Sequence, residues 1–225
     1  KHLYDLYQGD YKTKIVDFGN IIAGNSINDT YAALKVVVEE LVKKDIVPII
    51  IGGGQDLTYA QYRGYQELEQ RVEVAVIDAK FDLDQEHTED MPLNSQTYLN
   101  HLILHQPDYL FNLNNVAYQT YLVSKESINM YDKLFFNAQR VGMIAGKLDQ
   151  AEPIIRAADM VSFDIGAIRA SEAPGNANAV PNGLFGDEAC QLARYAGMSD
   201  KCSSIGFYEF NPTFDPMEQT AMLVS

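Results

Sequence analysis

The sequence predicts an α/β fold in which a mostly parallel β-sheet carries helices on both faces. Four short runs rich in Val, Ile and Phe are apolar on both faces, which is typical of strands buried in a parallel sheet. Amphipathic segments with helical spacing alternate with these runs. No linker or low-complexity tract divides the 225 residues, so we expect a single domain over residues 1–225.

The first predicted helix begins at Asp29-Thr30 and ends before the charged residues 43–45. Its apolar residues at helical spacing are Leu34, Val37, Val38 and Leu41. Because this amphipathic run follows directly, the sequon that starts at Asn28 is better interpreted as a helix start than as a glycosylation site.

The other predicted elements follow in alternation. The strands are residues 46–54, 72–79, 160–165 and 203–210, and the first of them is expected to be fully buried. The helices are residues 57–70, 96–105, 125–138, 148–158 and 187–196. Residues 14–19 (KIVDFG) resemble a strand and residues 218–225 (EQTAMLVS) a shortened helix, so we expect the domain to be part of a longer chain.

Composition excludes several classes of partner. The formal charge of −14, from 31 acidic and 17 basic residues, repels nucleic acid and anionic membrane surfaces. The longest apolar runs are far shorter than the roughly 18 residues that span a bilayer. Cys190 and Cys202 form no CxxC pair or disulfide framework, so we expect a cytoplasmic protein.

Polar side chains stand at the carboxyl ends of all four predicted strands. They are Gln55 and Asp56 at the first, Asp78, Lys80 and Asp82 at the second, Asp164 at the third and Glu209 at the fourth. In open parallel sheets, ligands bind outside the carboxyl ends of the strands. The sequence therefore predicts that these groups line one crevice.

The same segments resemble a known family. PIIIGGGQDLTYA, VIDAKFDL, VSFDIGAIRASEAPGNANAVPNGL and IGFYEFNP occur in the order of the motifs of the arginase, agmatinase and formimidoylglutamase group, the ureohydrolases. The resemblance implies a three-layer arginase-like α/β fold and two Mn²⁺ ions that activate water against a guanidinium or amidine carbon. It also implies a small-molecule ligand and a homo-oligomer.

Three positions depart from the family pattern. Gln55 stands where the family has its first His, Lys80 replaces the second His, and Gly166 replaces the last Asp. The resemblance implies that at most one cation position is left, for Mn²⁺, Mg²⁺ or Ca²⁺, and that a dinuclear manganese centre is not expected. Its ligands would be Gln55, Asp78, Asp82 and Asp164.

Lys80 is unusual among these acids. We expect its ammonium to stand where the second cation would be, since one ion pair at ~4 Å contributes roughly 4 kcal/mol at an effective dielectric of ~20. Breaking such a buried pair costs roughly 3–5 kcal/mol. By resemblance, Glu209 holds the cationic group of the substrate; the alternative is a strand-end acid before the Asn211-Pro212 turn.

Two functions are open at this stage. One is a hydrolase of linear amidines that works with at most one cation. The other is a non-catalytic descendant that binds a ligand or a partner. The loss of the second cation favours the non-catalytic descendant. Residues 172–184 are too long for an idle connector and are expected to form a pocket wall. His101 and His105 have i, i+4 spacing, but no neighbouring Glu supports a metal site there.

Overall fold

The computed structural model describes residues 13–83 and 91–225. Six parallel strands form one sheet in the order β1-β6-β5-β2-β3-β4. The strands are β1 (Ile49–Ile51), β2 (Val72–Ile77), β3 (Leu110–Tyr118), β4 (Asn137–Arg140), β5 (Met160–Asp164) and β6 (Ser204–Tyr208). The predicted parallel sheet is confirmed.

Helices cover both faces of the sheet. They are α1 (Ile27–Val42), α2 (Leu57–Arg63), α3 (Tyr98–Ile103), α4 (Lys125–Lys133), α5 (Val141–Ile144), α6 (Glu152–Ala157), α7 (Gly186–Gly197) and α8 (Gln219–Val224). Short 3₁₀ turns occur at Gln66–Leu68, Leu148–Gln150, Ile165–Ala167 and Pro212–Phe214. None of the helices in the described ranges is long and apolar enough to cross a membrane.

Side chains of β2 alternate between two hydrophobic cores. Val74 and Val76 pack with Leu34 of α1 and Tyr98 of α3 on one face. Ala75 and Ile77 belong to the core on the other face, which also contains Ile155 of α6 and Leu192 of α7. Because successive side chains of a strand point to opposite faces, Val74 to Ile77 of β2 are apolar at every position and contribute to both cores. The three-layer prediction is therefore confirmed.

Two strands were missed because their side chains are polar. β3 (LFNLNNVAY) and β4 (NAQR) carry asparagines that form hydrogen bonds across the sheet. Asn137 Nδ2 donates to Asn114 Oδ1 at 2.7 Å, and Asn114 Nδ2 donates to Glu73 Oε1 at 3.1 Å. These hydrogen bonds take the place of apolar packing in the two strands. The predicted helix 125–138 is therefore wrong at its end, because Asn137 and Ala138 lie in β4.

Other boundaries also differ from the prediction. Residues 14–19 form no strand and are exposed. β1 is shorter than residues 46–54 and is an edge strand, with Ile49 63% and Ile51 47% exposed, because β6 is its one partner in the described sheet. Helix α1 begins earlier than predicted, at Ile27, where Asp29 Oδ2 accepts from the Ser26 N–H at 2.9 Å.

Candidate metal centre

Asp78 and Asp164 meet because their strands are neighbours in register. Ile77 of β2 pairs with Phe163 of β5, so the next residue of each strand reaches the same edge of the sheet. Asp82 returns to this point from the following loop. One carboxylate oxygen from each aspartate lies within 4.8 Å of the other two, as a trio that binds a cation would require. The structure thus brings the three predicted acids together.

The loop that carries Asp82 is held by two hydrogen bonds. The backbone N–H of Lys80 donates to Asp78 Oδ1 at 2.9 Å, and Asn115 Nδ2 donates to the Lys80 carbonyl at 2.9 Å. Asp82 itself has a φ of 38°, in the left-handed region that non-glycine residues seldom adopt. Asn115 is 1% exposed and was missed by the sequence analysis; its signal is a polar residue inside the strand β3.

Burial sets the electrostatics of the trio. Burial, followed by the Asp82 carboxylate, raises the pKa of Asp78 well above its usual value. Burial and then Asp78 likewise raise the pKa of Asp164 well above its usual value, and burial raises that of Asp82 to about 7. Three carboxyl groups at this spacing repel one another when ionised, so they hold either protons or a cation.

Gln55 closes the trio on the side of β1. Its side chain is fully buried, and one end of the amide lies 3.0 Å from Asp82 Oδ2 and 3.1 Å from Asp78 Oδ2. The other end lies 3.2 Å from the Tyr98 hydroxyl. Tyr98, on α3, is completely buried and was not identified from the sequence.

Glu209 lies beside the trio, immediately after β6. Its Oε1 accepts from the backbone N–H of Gln55 at 2.8 Å, and its φ of 63° is again left-handed. Its negative charge contributes to the raised pKa values of Asp82 and Asp164. The structure therefore places Glu209 at the same crevice; holding a substrate stays a prediction.

The loop of residues 172–184 is fixed to both sides of the crevice. Asn176 Nδ2 donates to the Glu209 carbonyl at 3.1 Å, and Asn182 Nδ2 donates to Gln119 Oε1 at 3.0 Å. Gln119 follows β3 and is nearly fully buried. These contacts anchor the loop beside Glu209 and Gln119; that it forms a pocket wall stays a prediction.

His101 and His105 do not join in a metal cluster. Each ring centroid lies 5.7 Å from that of Tyr59, and His105 Nδ1 lies 2.9 Å from the Tyr59 hydroxyl. Across the described ranges, the group of three or more His, Cys, Asp or Glu side chains close enough to hold one ion is Asp78, Asp82 and Asp164.

Comparison with known proteins supplies the family. A family model described as the arginase family matches residues 2–225. The chain belongs to the arginase family. A formimidoylglutamase of Staphylococcus haemolyticus is 26% identical over 224 residues, covering 94% of this chain and 69% of that protein.

Solved structures show the same fold at lower identity. A formimidoylglutamase from Bacillus subtilis has a TM-score of 0.79 at 21% identity, covering 91% of this chain and 66% of that one. A formiminoglutamase from Trypanosoma cruzi, solved with Mn²⁺, has a TM-score of 0.81 at 18% identity. The match covers 90% of this chain and 70% of that one. An agmatine ureohydrolase from Thermoplasma volcanium has a TM-score of 0.79 at 19% identity. The match covers 99% of this chain and 76% of that one. The chain spans about two-thirds of the length of the formimidoylglutamases.

The Trypanosoma cruzi formiminoglutamase was solved with Mn²⁺, and the residues of this chain fit one divalent ion. Three carboxylates, of which those of Asp78 and Asp164 are buried, supply hard oxygen ligands of the kind that Mn²⁺, Mg²⁺ and Ca²⁺ accept. They do not fit a second ion. A Cβ at Gly166 would lie 3.1 Å from Asp164 Oδ1 and 3.3 Å from Asn176 Nδ2, so this position has little room for a ligand side chain.

Lys80 does not form the expected contact with the acids. Among the described residues, no ion pair within 4.0 Å joins its ammonium to Asp78, Asp82 or Asp164. Its charge still lowers the pKa of Asp78 and of Asp82, as a smaller influence than burial. Its backbone N–H, rather than its ammonium, meets Asp78.

We therefore expect Lys80→Met to be mild. The change removes a charge that acts at longer range, so the free energy of unfolding should change by less than about 1 kcal/mol, well below the cost of breaking a buried contact pair. Urea denaturation at pH 7.5 in EDTA measures it. A decrease of about 3 kcal/mol or more in the free energy of unfolding would show that Lys80 forms a buried ion pair with the aspartates.

Proposed function

We propose that this chain is a hydrolase of linear amidines, of the formimidoylglutamate type, that works with a single divalent cation. One observation carries the proposal: one carboxylate oxygen from each of three aspartates, two of them buried, lies within 4.8 Å of the others at the strand ends. Such a trio is costly to keep without a cation. The names of the family relatives, formimidoylglutamase above all, support the choice of substrate.

The ligands of the cation would be Asp78, Asp82 and Asp164. A divalent cation held by carboxylates supplies Lewis acidity and lowers the pKa of a water molecule, which suits attack on an amidine carbon. Burial of Asp78 and Asp164 keeps bulk water away from this point, so electrostatic interactions there are stronger than at the surface.

Glu209 would hold the amidinium group of the substrate. Its Oε1 is engaged by the Gln55 backbone, and within the described residues Oε2 has no hydrogen-bond partner. A carboxylate fixed by one oxygen can offer the other to a cationic N–H group in a defined direction. The loop held by Asn176 and Asn182 would cover the substrate from the other side.

The second candidate is a non-catalytic family member that binds a ligand or partner. The missing side chain at Gly166 and the cationic side chain of Lys80 favour it, because both positions lack a ligand for a second cation. One cation has less charge available to stabilise the transition state than two.

A turnover assay separates the two candidates. EDTA-stripped protein is reloaded with Mn²⁺, Mg²⁺ or Ca²⁺ and given N-formimidoylglutamate, agmatine or arginine, while formamide and urea are measured. The proposal expects formamide release that depends on the cation, and a KM for Glu209→Gln raised about tenfold or more. Bound cation without release of either product supports the non-catalytic candidate and contradicts the hydrolase.

A further inference from the structure

The orientation of the Gln55 amide follows from its neighbours. The end that faces the trio lies at hydrogen-bond distance from two carboxylate oxygens, of Asp82 and Asp78. An amide oxygen at this end would face only carboxylate oxygens, whereas the reverse orientation gives both ends of the amide a hydrogen-bond partner, so this end is the –NH₂ group. The amide oxygen then faces Tyr98, whose hydroxyl donates to it.

We propose that Gln55 is a hydrogen-bond donor that competes with the cation for Asp78 and Asp82, and that Tyr98 holds the amide in the donating orientation. This inference rests on the proposed cation site and describes how that site is controlled. An amide nitrogen has its lone pair delocalised into the carbonyl and is a poor metal ligand, whereas its two hydrogens suit carboxylates. The glutamine therefore satisfies the acids when the cation is absent.

The surroundings leave the amide few alternatives. Gln55 is fully buried, so reversal of the amide cannot exchange its hydrogen bonds for bonds to water. Its backbone N–H donates to Glu209 Oε1 at 2.8 Å, and its carbonyl accepts from the Thr58 N–H at 2.9 Å. Hydrogen bonds thus hold both the N–H and the carbonyl of the Gln55 main chain, and the side chain stays beside the trio.

The competing role differs from a ligand role in a measurable direction. If Gln55 were a ligand, replacing it with an apolar side chain would weaken cation binding. If it is a competitor, the same replacement removes bonds that exist in the cation-free protein, so binding becomes tighter. Hydrogen bonds to charged groups are strong enough for a change of about tenfold.

The test is isothermal titration with MnCl₂, and separately MgCl₂, at pH 7.5, on EDTA-stripped wild type and Gln55→Met. Methionine has a similar length and does not donate hydrogen bonds. We expect Gln55→Met to bind the cation about tenfold more tightly and to melt at a lower temperature in EDTA. Tyr98→Phe, which releases the amide oxygen, should tighten binding about threefold.

Gln61→Met is the matched control. Gln61 is also fully buried, but it bonds to Ser204 and to Tyr208 rather than to the aspartates. This variant should melt at a lower temperature in EDTA while its cation affinity equals that of the wild type. It therefore separates the effect of losing any buried amide on stability from the effect of losing the Gln55 amide on cation affinity.

Each outcome decides the inference. Unchanged or weaker cation binding by Gln55→Met overturns it, since Gln55 would then be a ligand or a bystander. If neither protein binds a cation, the proposed cation site fails on its own. The competing role then fails together with the site, whereas cation binding by the wild type without tighter binding by Gln55→Met overturns the inference alone.

Discussion

Asp164→Asn is expected to stabilise the cation-free protein at pH 8 and to abolish its stabilisation by divalent cations. Asn keeps the oxygen that accepts from the Gly166 N–H at 2.6 Å, and its new –NH₂ group can donate to the neighbouring Asp78 carboxylate. It also removes one member of a charged trio whose pairwise repulsion is about 3 kcal/mol at an effective dielectric of ~20.

The gain should be about 2 kcal/mol in the free energy of unfolding, or about 4–8 °C in the melting temperature of a chain of this size. Differential scanning calorimetry in EDTA, and again with 1 mM MnCl₂, measures both effects. Asp215→Asn is the control, because Asp215 is buried but accepts from the N–H groups of Thr220 and Ala221 at the start of α8. It should melt at a lower temperature and keep the full response to Mn²⁺. An Asp164→Asn protein that behaves in the same way would refute the repulsive trio.

The stability of the cation-free protein should fall as the pH rises from about 4 to about 7. The pKa of Asp82 is raised from 3.8 to about 7 by burial, so in this window the folded protein holds a proton that the unfolded chain has released. The folded state binds more protons, and the free energy of unfolding therefore decreases with rising pH. The full shift corresponds to about 4 kcal/mol for this one group.

Urea denaturation at constant ionic strength, in EDTA, at pH 5, 6, 7 and 8 measures this slope. Saturating Mn²⁺ should flatten the fall between pH 5 and pH 7, because the cation then replaces the released proton. Asp164→Asn should show a shallower slope than the wild type, since one source of the raised pKa values is gone. A stability that rises with pH between 5 and 7 would show that the aspartates are stabilised as anions.

The apolar strands and the acids at their ends could be predicted from the sequence, because both follow from the parallel sheet. β2 and β5 are buried on both faces, and their register delivers Asp78 and Asp164 to one point. β3 and β4 could not be predicted in this way. Their asparagines are satisfied by cross-strand neighbours, which leaves no periodic apolar pattern in the sequence.

The partners of the acids were the harder part of the site. The sequence places Lys80 two residues from Asp78, but the chain turns so that the backbone N–H of Lys80 makes the contact. Tyr98 and Asn115 reach the site from α3 and β3, which are distant in sequence. Contacts of this kind depend on how the elements pack, and short motifs carry no signal for them.

The number of cations bound per chain tests the central claim most directly. Protein stripped with EDTA is dialysed against MnCl₂, freed of excess metal and analysed for manganese by mass spectrometry, together with Asp164→Asn. The convergence of Asp78, Asp82 and Asp164 predicts one manganese per wild-type chain and none in the variant. Two per chain, or none in the wild type, would contradict the single-cation site.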